Sequence, residues 1–232
     1  MNRQLILDLP VRVARGRADF IVSPANAQAL TAVEGWRGWP GGKLVLAGPP
    51  GAGKTHLAHV WAAASGAAVI AAADLPGADL PALAATGAVA VEDADRIGGK
   101  GAAERALFHL HNLLVAEARG ALLVTAAGPP RDWGLALPDL ASRMQAAGLA
   151  RIGSPDDALL AAVLIKLFAD RQLAVAPGLI DWLVPRMPRA LDVAQALVAA
   201  LDARALEQSR PVTRALAAEV LQNLVEDAAE GG

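Results

Sequence analysis

Cysteine is absent from the 232 residues. That excludes disulfides and thiolate metal sites and fits a reducing cytosol. Tyrosine is absent as well, and aromatic residues make up only 3%. The apolar fraction of 54% is therefore carried by aliphatic side chains and much alanine. It suffices for a core, but its pattern is diluted because alanine hides little area. Strong charge of either sign is missing too, the formal net charge being −2. A domain that gripped nucleic acid with a broad basic face of its own would be more positive. No apolar signal-peptide core follows Met1-Asn2-Arg3-Gln4. The stretch from Thr55 to Ala73 has no formal charge, yet it holds His56, His59, Ser65 and Gly66. It reads as helix, turn and strand rather than a membrane span. A cytoplasmic location without membrane contact is expected.

What is present starts with Gly48-Pro49-Pro50-Gly51-Ala52-Gly53-Lys54-Thr55. It satisfies G-x-x-x-x-G-K-[ST] at every required position. Lys43 to Ala47 ahead of it reads as a buried strand, and Thr55 to Ala62 behind it as the start of a helix. Strand, glycine loop and helix is the context the motif requires. Glycines let backbone N–H groups approach phosphate oxygens, and the helix N-terminus adds donors and partial positive charge. Lys54 is expected on the outer phosphates and the Thr55 hydroxyl on Mg²⁺. The ligand class is a nucleoside diphosphate or triphosphate.

Short apolar segments alternate with helical ones through the first two thirds of the chain. Strands are expected at 67–72, 88–91 and 121–125, with a last one over 149–152. Helices are expected at 27–33, 80–85, 102–119 and 139–147, the first of them opened by Ser23 as cap with Pro24 in its first turn. This alternation implies an α/β fold with a parallel sheet and helices on both faces. From Ser154-Pro155-Asp156-Asp157, a cap-and-acid helix start, the chain becomes all-helical. Those helices are expected near 156–172, 177–186, 189–208 and 213–227. The third strand ends in Glu92-Asp93. Opposite a phosphate loop, one carboxylate of such a pair orients Mg²⁺ and the next polarises the attacking water. Glu92 is thus expected at the metal and Asp93 at the water. Near the N-terminus, Leu5, Leu7 and Leu9 alternate after Gln4. That spacing suits either a strand joining the chain's own sheet or a peptide docking its leucines on a partner.

Several motifs in order carry a resemblance. Gly53-Lys54-Thr55-His56-Leu57 resembles the phosphate loop of DnaA-type replication initiators. Phe20-Ile21-Val22 with Asn26 is similar to the family's base-side segment. Thr125 to Pro130 is similar to its fourth-strand motif, Leu140-Ala141-Ser142-Arg143-Met144 with Gly148-Leu149 to its arginine box, and Met187 to Leu191 to its second-sensor stretch. Gln4-Leu5-Ile6-Leu7-Asp8-Leu9 resembles the sliding-clamp peptide of Hda-type regulators, which are related to DnaA.

The resemblance implies an AAA+ P-loop core followed by a small all-helical lid. The implied division is 1–17 as clamp peptide and linker, 18–153 as nucleotide-binding domain and 154–232 as lid. It implies ADP or ATP with Mg²⁺, held by Ile21, Val22, Asn26, Pro50, Gly51, Ala52, Gly53, Lys54, Thr55, His56 and the lid's Arg189. Arg143 becomes an arginine finger acting in trans, and Gln4, Leu5, Leu7 and Leu9 contact the DNA polymerase III sliding clamp. The implied partner is a DnaA initiator whose ATP hydrolysis is stimulated, with DNA reached only through the clamp. A homo-oligomer is compatible. Ala126 and Ala127 replace polar residues of the first sensor, and Glu92 replaces the usual Asp, so weak hydrolysis by the chain itself is expected. The sequence given stops after the lid, where initiators carry a helix-turn-helix domain, which also points to a regulator. The competing readings are a DNA-binding AAA+ ATPase such as a helicase loader and, less well matched, a small-molecule P-loop kinase.

Overall fold

In the computed structural model, which describes residues 17–116, 120–208 and 211–230, the apolar runs become five strands. These are β1 (Lys43–Ala47), β2 (Ala68–Ala71), β3 (Ala88–Glu92), β4 (Ala121–Ala126) and β5 (Gly148–Arg151). They form one parallel sheet in the order β2-β3-β4-β1-β5. Between them lie α1 (Ala27–Glu34), α2 (Lys54–Ser65), α3 (Leu80–Ala84), α4 (Gly101–Ala116) and α5 (Pro138–Gln145). The expected strands and helices are all there, the last strand included.

Successive strand residues point to opposite faces, so each face collects every second side chain. Val45, Val89, Val91, Leu122 and Val124 pack against Leu107, Leu110 and Leu114 of α4 and Leu140 and Met144 of α5. On the other face Leu44, Leu46, Ala88, Ala90 and Leu123 meet Leu30 and Val33 of α1 and Leu57 and Trp61 of α2. Each fully buried leucine stabilises the fold by about 2 kcal/mol. Where alanine leaves the second face thin, tryptophan fills it. Trp61 packs on Trp39 at 5.2 Å and edge-on to Trp36 at 6.2 Å between ring centroids.

Four further helices follow the sheet: α6 (Asp157–Asp170), α7 (Leu179–Leu183), α8 (Leu191–Gln208) and α9 (Arg214–Glu230). They enclose their own apolar cluster, including Leu160, Leu164, Leu183, Leu197, Leu201 and Val220. Asp156 caps α6 by accepting from the Leu159 N–H at 2.7 Å, as the acid-rich start implied. Among the described residues no helix is long and apolar enough to cross a membrane.

Two boundaries differ from the sequence expectation. Ser23 and Pro24 do not open α1. They belong to a turn closed by Asn26, whose Oδ1 accepts from the Ser23 N–H at 2.9 Å. A local side-chain bond of that kind competes with helix at its own position. The second lid helix is also shorter than its periodicity suggested, because Gly178 takes a left-handed conformation immediately before Leu179.

Candidate functional site

The carboxyl ends of the strands, where parallel sheets place their ligands, bring the two predicted halves of the site together. Beyond β1, Gly51 and Gly53 adopt φ of +69° and +98°, which a Cβ would strain. Gly53 is the N-cap of α2, and no side chain caps that helix start. The orphan amide donors of a first turn are what an anion satisfies. The Lys54 ammonium bends back to donate to the carbonyls of Gly48 at 2.7 Å and Pro49 at 2.9 Å, leaving one of its three donors. Burial lowers its pKa from the ordinary lysine value; Asp93, Asp95 and Asp192 oppose that, and Arg96 adds to it.

Beyond β3, Asp93 sits in a left-handed conformation with φ of +57°. Its N–H donates to the Thr125 hydroxyl at 3.1 Å, which fixes that uncommon backbone. Glu92 Oε1 is buried without a hydrogen-bond partner among the described residues. Buried acceptors of that kind are usually satisfied, by a water or an ion where protein offers nothing.

Two adjoining cavities lie over these groups. One, of about 270 Å³, is lined by Gly51, Lys54, Thr55, Asp93, Arg96 and Asp192, with Pro50 and Gly53 at its rim. The other, of about 360 Å³, is lined by Phe20, Ile21, Asn26, Leu159, Val163 and Leu167. His56, Leu191 and Gln195 border both. The first is polar and lies at the P-loop; the second is mostly apolar, with the Phe20 ring edge-on to His56 at 5.3 Å. Asn26 is buried and stiffens the wall by donating to the Ile21 carbonyl at 2.9 Å. Helices of the lid close both cavities. The Leu191 N–H donates to the Gly51 carbonyl at 2.7 Å, and Lys166 pairs with Asp19 at 3.0 Å across the second cavity.

The structure treats the predicted residues differently. Pro50, Gly51, Gly53, Lys54, Thr55, His56, Asp93, Ile21 and Asn26 line the cavities. Ala52 is buried beside them, Glu92 lies at the strand end, and Val22 is half exposed outside the lining. Arg189 also lies outside the lining, donating to Asp157 at 2.8 Å and to the Pro155 carbonyl at 3.3 Å. Arg143 is elsewhere, exposed on α5 between buried Leu140 and Met144. Gln4, Leu5, Leu7 and Leu9 lie outside the described residues. Sequence reasoning missed Asp19, Arg96, Lys166, Asp192 and Gln195. Arg96, three residues past Asp93, was the nearest to being inferred.

These features fit a nucleotide. A polar cavity with a glycine cradle and a lysine adjoins a mostly apolar one with room for a base. Gly51, Gly53, Lys54 and the first turn of α2 would hold the phosphates, and Phe20, Ile21 and Asn26 would flank the base. Among the described residues no group of three or more His, Asp or Glu side chains gathers to hold a metal. A Mg²⁺ here would rest on phosphate oxygens together with Thr55 and Glu92. Bound, it would neutralise phosphate charge.

Comparison with solved structures gives the fold its context. Domain III of the Thermotoga maritima replication initiation protein DnaA superposes with a TM-score of 0.76, covering 93% of this chain and 98% of that one at 17% identity. The fold is therefore like that of this DnaA domain. AMPPCP-bound DnaA from Aquifex aeolicus gives a TM-score of 0.64 at 19% identity, covering 81% of this chain and 65% of that one. A point variant of Thermotoga maritima RuvB gives 0.67 at 19% identity, covering 91% of this chain and 72% of that one. No family model matches the sequence. The parallel sheet followed by a group of helices that the motif order implied is therefore present, at identities where the likeness is one of fold.

Proposed function

We propose that this chain is an Hda-like negative regulator of replication initiation. It binds ADP or ATP with Mg²⁺ between P-loop and lid, and it applies Arg143 to the ATP held by a DnaA initiator. The observation that carries this reading is the separation of Arg143 from the chain's own phosphate cavity. The cavity lies past the carboxyl end of β1. Arg143 lies in the last turn of α5, five residues before Gly148, which pairs with Leu44 beside Lys43 at the amino end of β1, and its charge is felt at Lys43. Five strand residues put about 16 Å between the two ends of that strand. A guanidinium so placed is useless to its own nucleotide and free for a neighbour's, where stabilising transition-state charge is worth several powers of ten in rate.

A structural neighbour supports the ligand: the Aquifex aeolicus DnaA binds AMPPCP. The Gln4–Leu9 peptide would tether the chain to the DNA-loaded sliding clamp of DNA polymerase III, so that DNA is met only indirectly. Ala126 and Ala127 beyond Thr125 offer no polar group to its own nucleotide, which supports a chain that acts on a partner more than on itself.

The test is ATP hydrolysis by a DnaA initiator in the presence of clamp-loaded DNA. Wild-type protein is expected to stimulate it and Arg143→Ala to lose the effect while still binding ADP. Equal stimulation by both removes the finger role. Salt-sensitive DNA binding without the clamp would favour the DNA-binding ATPase instead.

A further inference from the structure

The nucleotide site leaves one buried titratable group unused. His111 on α4 is 1% exposed, and its Nε2 lies 3.0 Å from the Lys43 ammonium. Its Nδ1 lies 3.2 Å from Asn112 Oδ1. An amide oxygen only accepts, so the network assigns the proton to Nδ1, and Nε2 accepts from Lys43. The ammonium is thereby held in place with donors to spare. Arg143 lies in the last turn of α5, five residues before Gly148, whose strand partner is Leu44 beside Lys43, and its charge disfavours a proton on Lys43 and His111, adding to the larger effect of burial. Among the described residues no carboxylate pairs with Lys43, His111 or Arg143. Two cations, Lys43 held by His111 and Arg143 on the last turn of α5, share the amino end of the sheet, and among the described residues no anion pairs with either.

We propose that Lys43 and Arg143 together form a phosphate-oxyanion site, and that it takes the terminal phosphate of a nucleotide held by a second AAA+ protomer. The proposal rests on the reading of Arg143 given above and adds to it a second cation set in place by His111. The two groups are complementary: the guanidinium offers a planar fork, the ammonium a compact point charge. In hydrolysis the water oxygen bonds to the γ-phosphorus as the bond to the β–γ bridging oxygen breaks. The electron pair leaves with the diphosphate, and the water's protons pass to phosphate and solvent. Lys43 would stabilise the charge spread over the non-bridging γ-oxygens. A net charge of −2 and a cluster only a few side chains wide suit one phosphate group rather than a nucleic-acid backbone.

Lys43→Gln keeps an N–H donor for His111 and removes the charge; Lys43→Arg restores the charge. The readout is ATP turnover by an ATP-loaded DnaA initiator against the concentration of each full-length variant. Lys43→Gln is expected to lower saturating turnover about tenfold or more, with half-saturation and ADP affinity unchanged, and Lys43→Arg to recover part of it. Undiminished turnover with Lys43→Gln, where Arg143→Ala abolishes it, overturns the proposal and spares the function above. Absent stimulation by the wild type fails that function, and the cluster is then decided by titrating inorganic phosphate against the His111 ring resonances. A shift seen in wild type and lost in Lys43→Gln supports the oxyanion site; no shift overturns it. A shift produced by duplex DNA but not by phosphate overturns it in favour of a nucleic-acid backbone.

Discussion

The carbonyl of Gly51 in the phosphate loop accepts a 2.7 Å hydrogen bond from the N–H of Leu191, the first residue of the long lid helix. The loop that would hold phosphate and the helix that would close over it are therefore one bonded unit. A Cβ at Gly51 would collide with Ala190 Cβ and with Asp192 Oδ1, and the residue sits at φ +69°. Gly51→Ala is expected to force the lid off the loop. Labelled-ADP anisotropy should show at least about tenfold weaker binding, since a left-handed alanine alone costs about 1 kcal/mol and the overlap adds to it. Unchanged affinity would show that the lid contact does not matter to the nucleotide.

Lys54 is tied to the loop carbonyls of Gly48 and Pro49 and holds no core residue in place. Adding ADP at about a hundred times its Kd should stabilise the wild type by about 2.7 kcal/mol. For a chain of this size that raises the melting temperature by roughly 5–10 °C. Lys54→Ala should melt close to the wild type alone and lose that rise. Scanning fluorimetry with and without ADP checks both halves.

Glu104 is 1% exposed, and its carboxylate accepts from the N–H groups of Gly99, Ala136 and Leu137 at 2.7, 3.0 and 2.7 Å. It pins the start of the helix bearing Arg143 to the loop after the acidic strand. Burial alone would raise its pKa, but the three backbone bonds outweigh that and leave it below the usual carboxylate value of 4.5. Its contribution is therefore complete above pH 4.5 and lost as the pH falls through the lower folded value. Glu104→Ala should cost about 3 kcal/mol in urea denaturation. Glu104→Gln should flatten the acid limb of the stability profile.

His111 has its pKa below the free value of 6.5, chiefly through burial, with Lys43 and Arg143 adding to the effect and Asn112 opposing it. Below pH 6.5 the unfolded chain binds more protons at this residue than the folded one. Stability should fall as the pH drops from that point, by up to about 1.4 kcal/mol per unit, until the folded value is reached. His111→Gln should remove this part of the slope. Urea midpoints from about pH 7 to about pH 5 would reveal it.

What the sequence determined by itself is what short stretches of chain decide. Glycine spacing around Lys54 set the phosphate loop, because left-handed backbone is a property of single residues. Apolar runs set the strands, and the end of the third run placed Glu92 and Asp93 where the sheet needs them. Only the tertiary structure decided which distant groups meet. Asp192 and Gln195 reach the cavity because the lid helix docks on Gly51, and no local pattern records that contact. Glu104 and Leu137 are 33 positions apart, and Lys43 and His111 are 68. In sequence Glu104, Lys43 and His111 each read as an ordinary polar residue on a helix or at a strand end. Packing turned His111 and Glu104 inward, and once water was excluded a hydrogen-bond partner became obligatory for each.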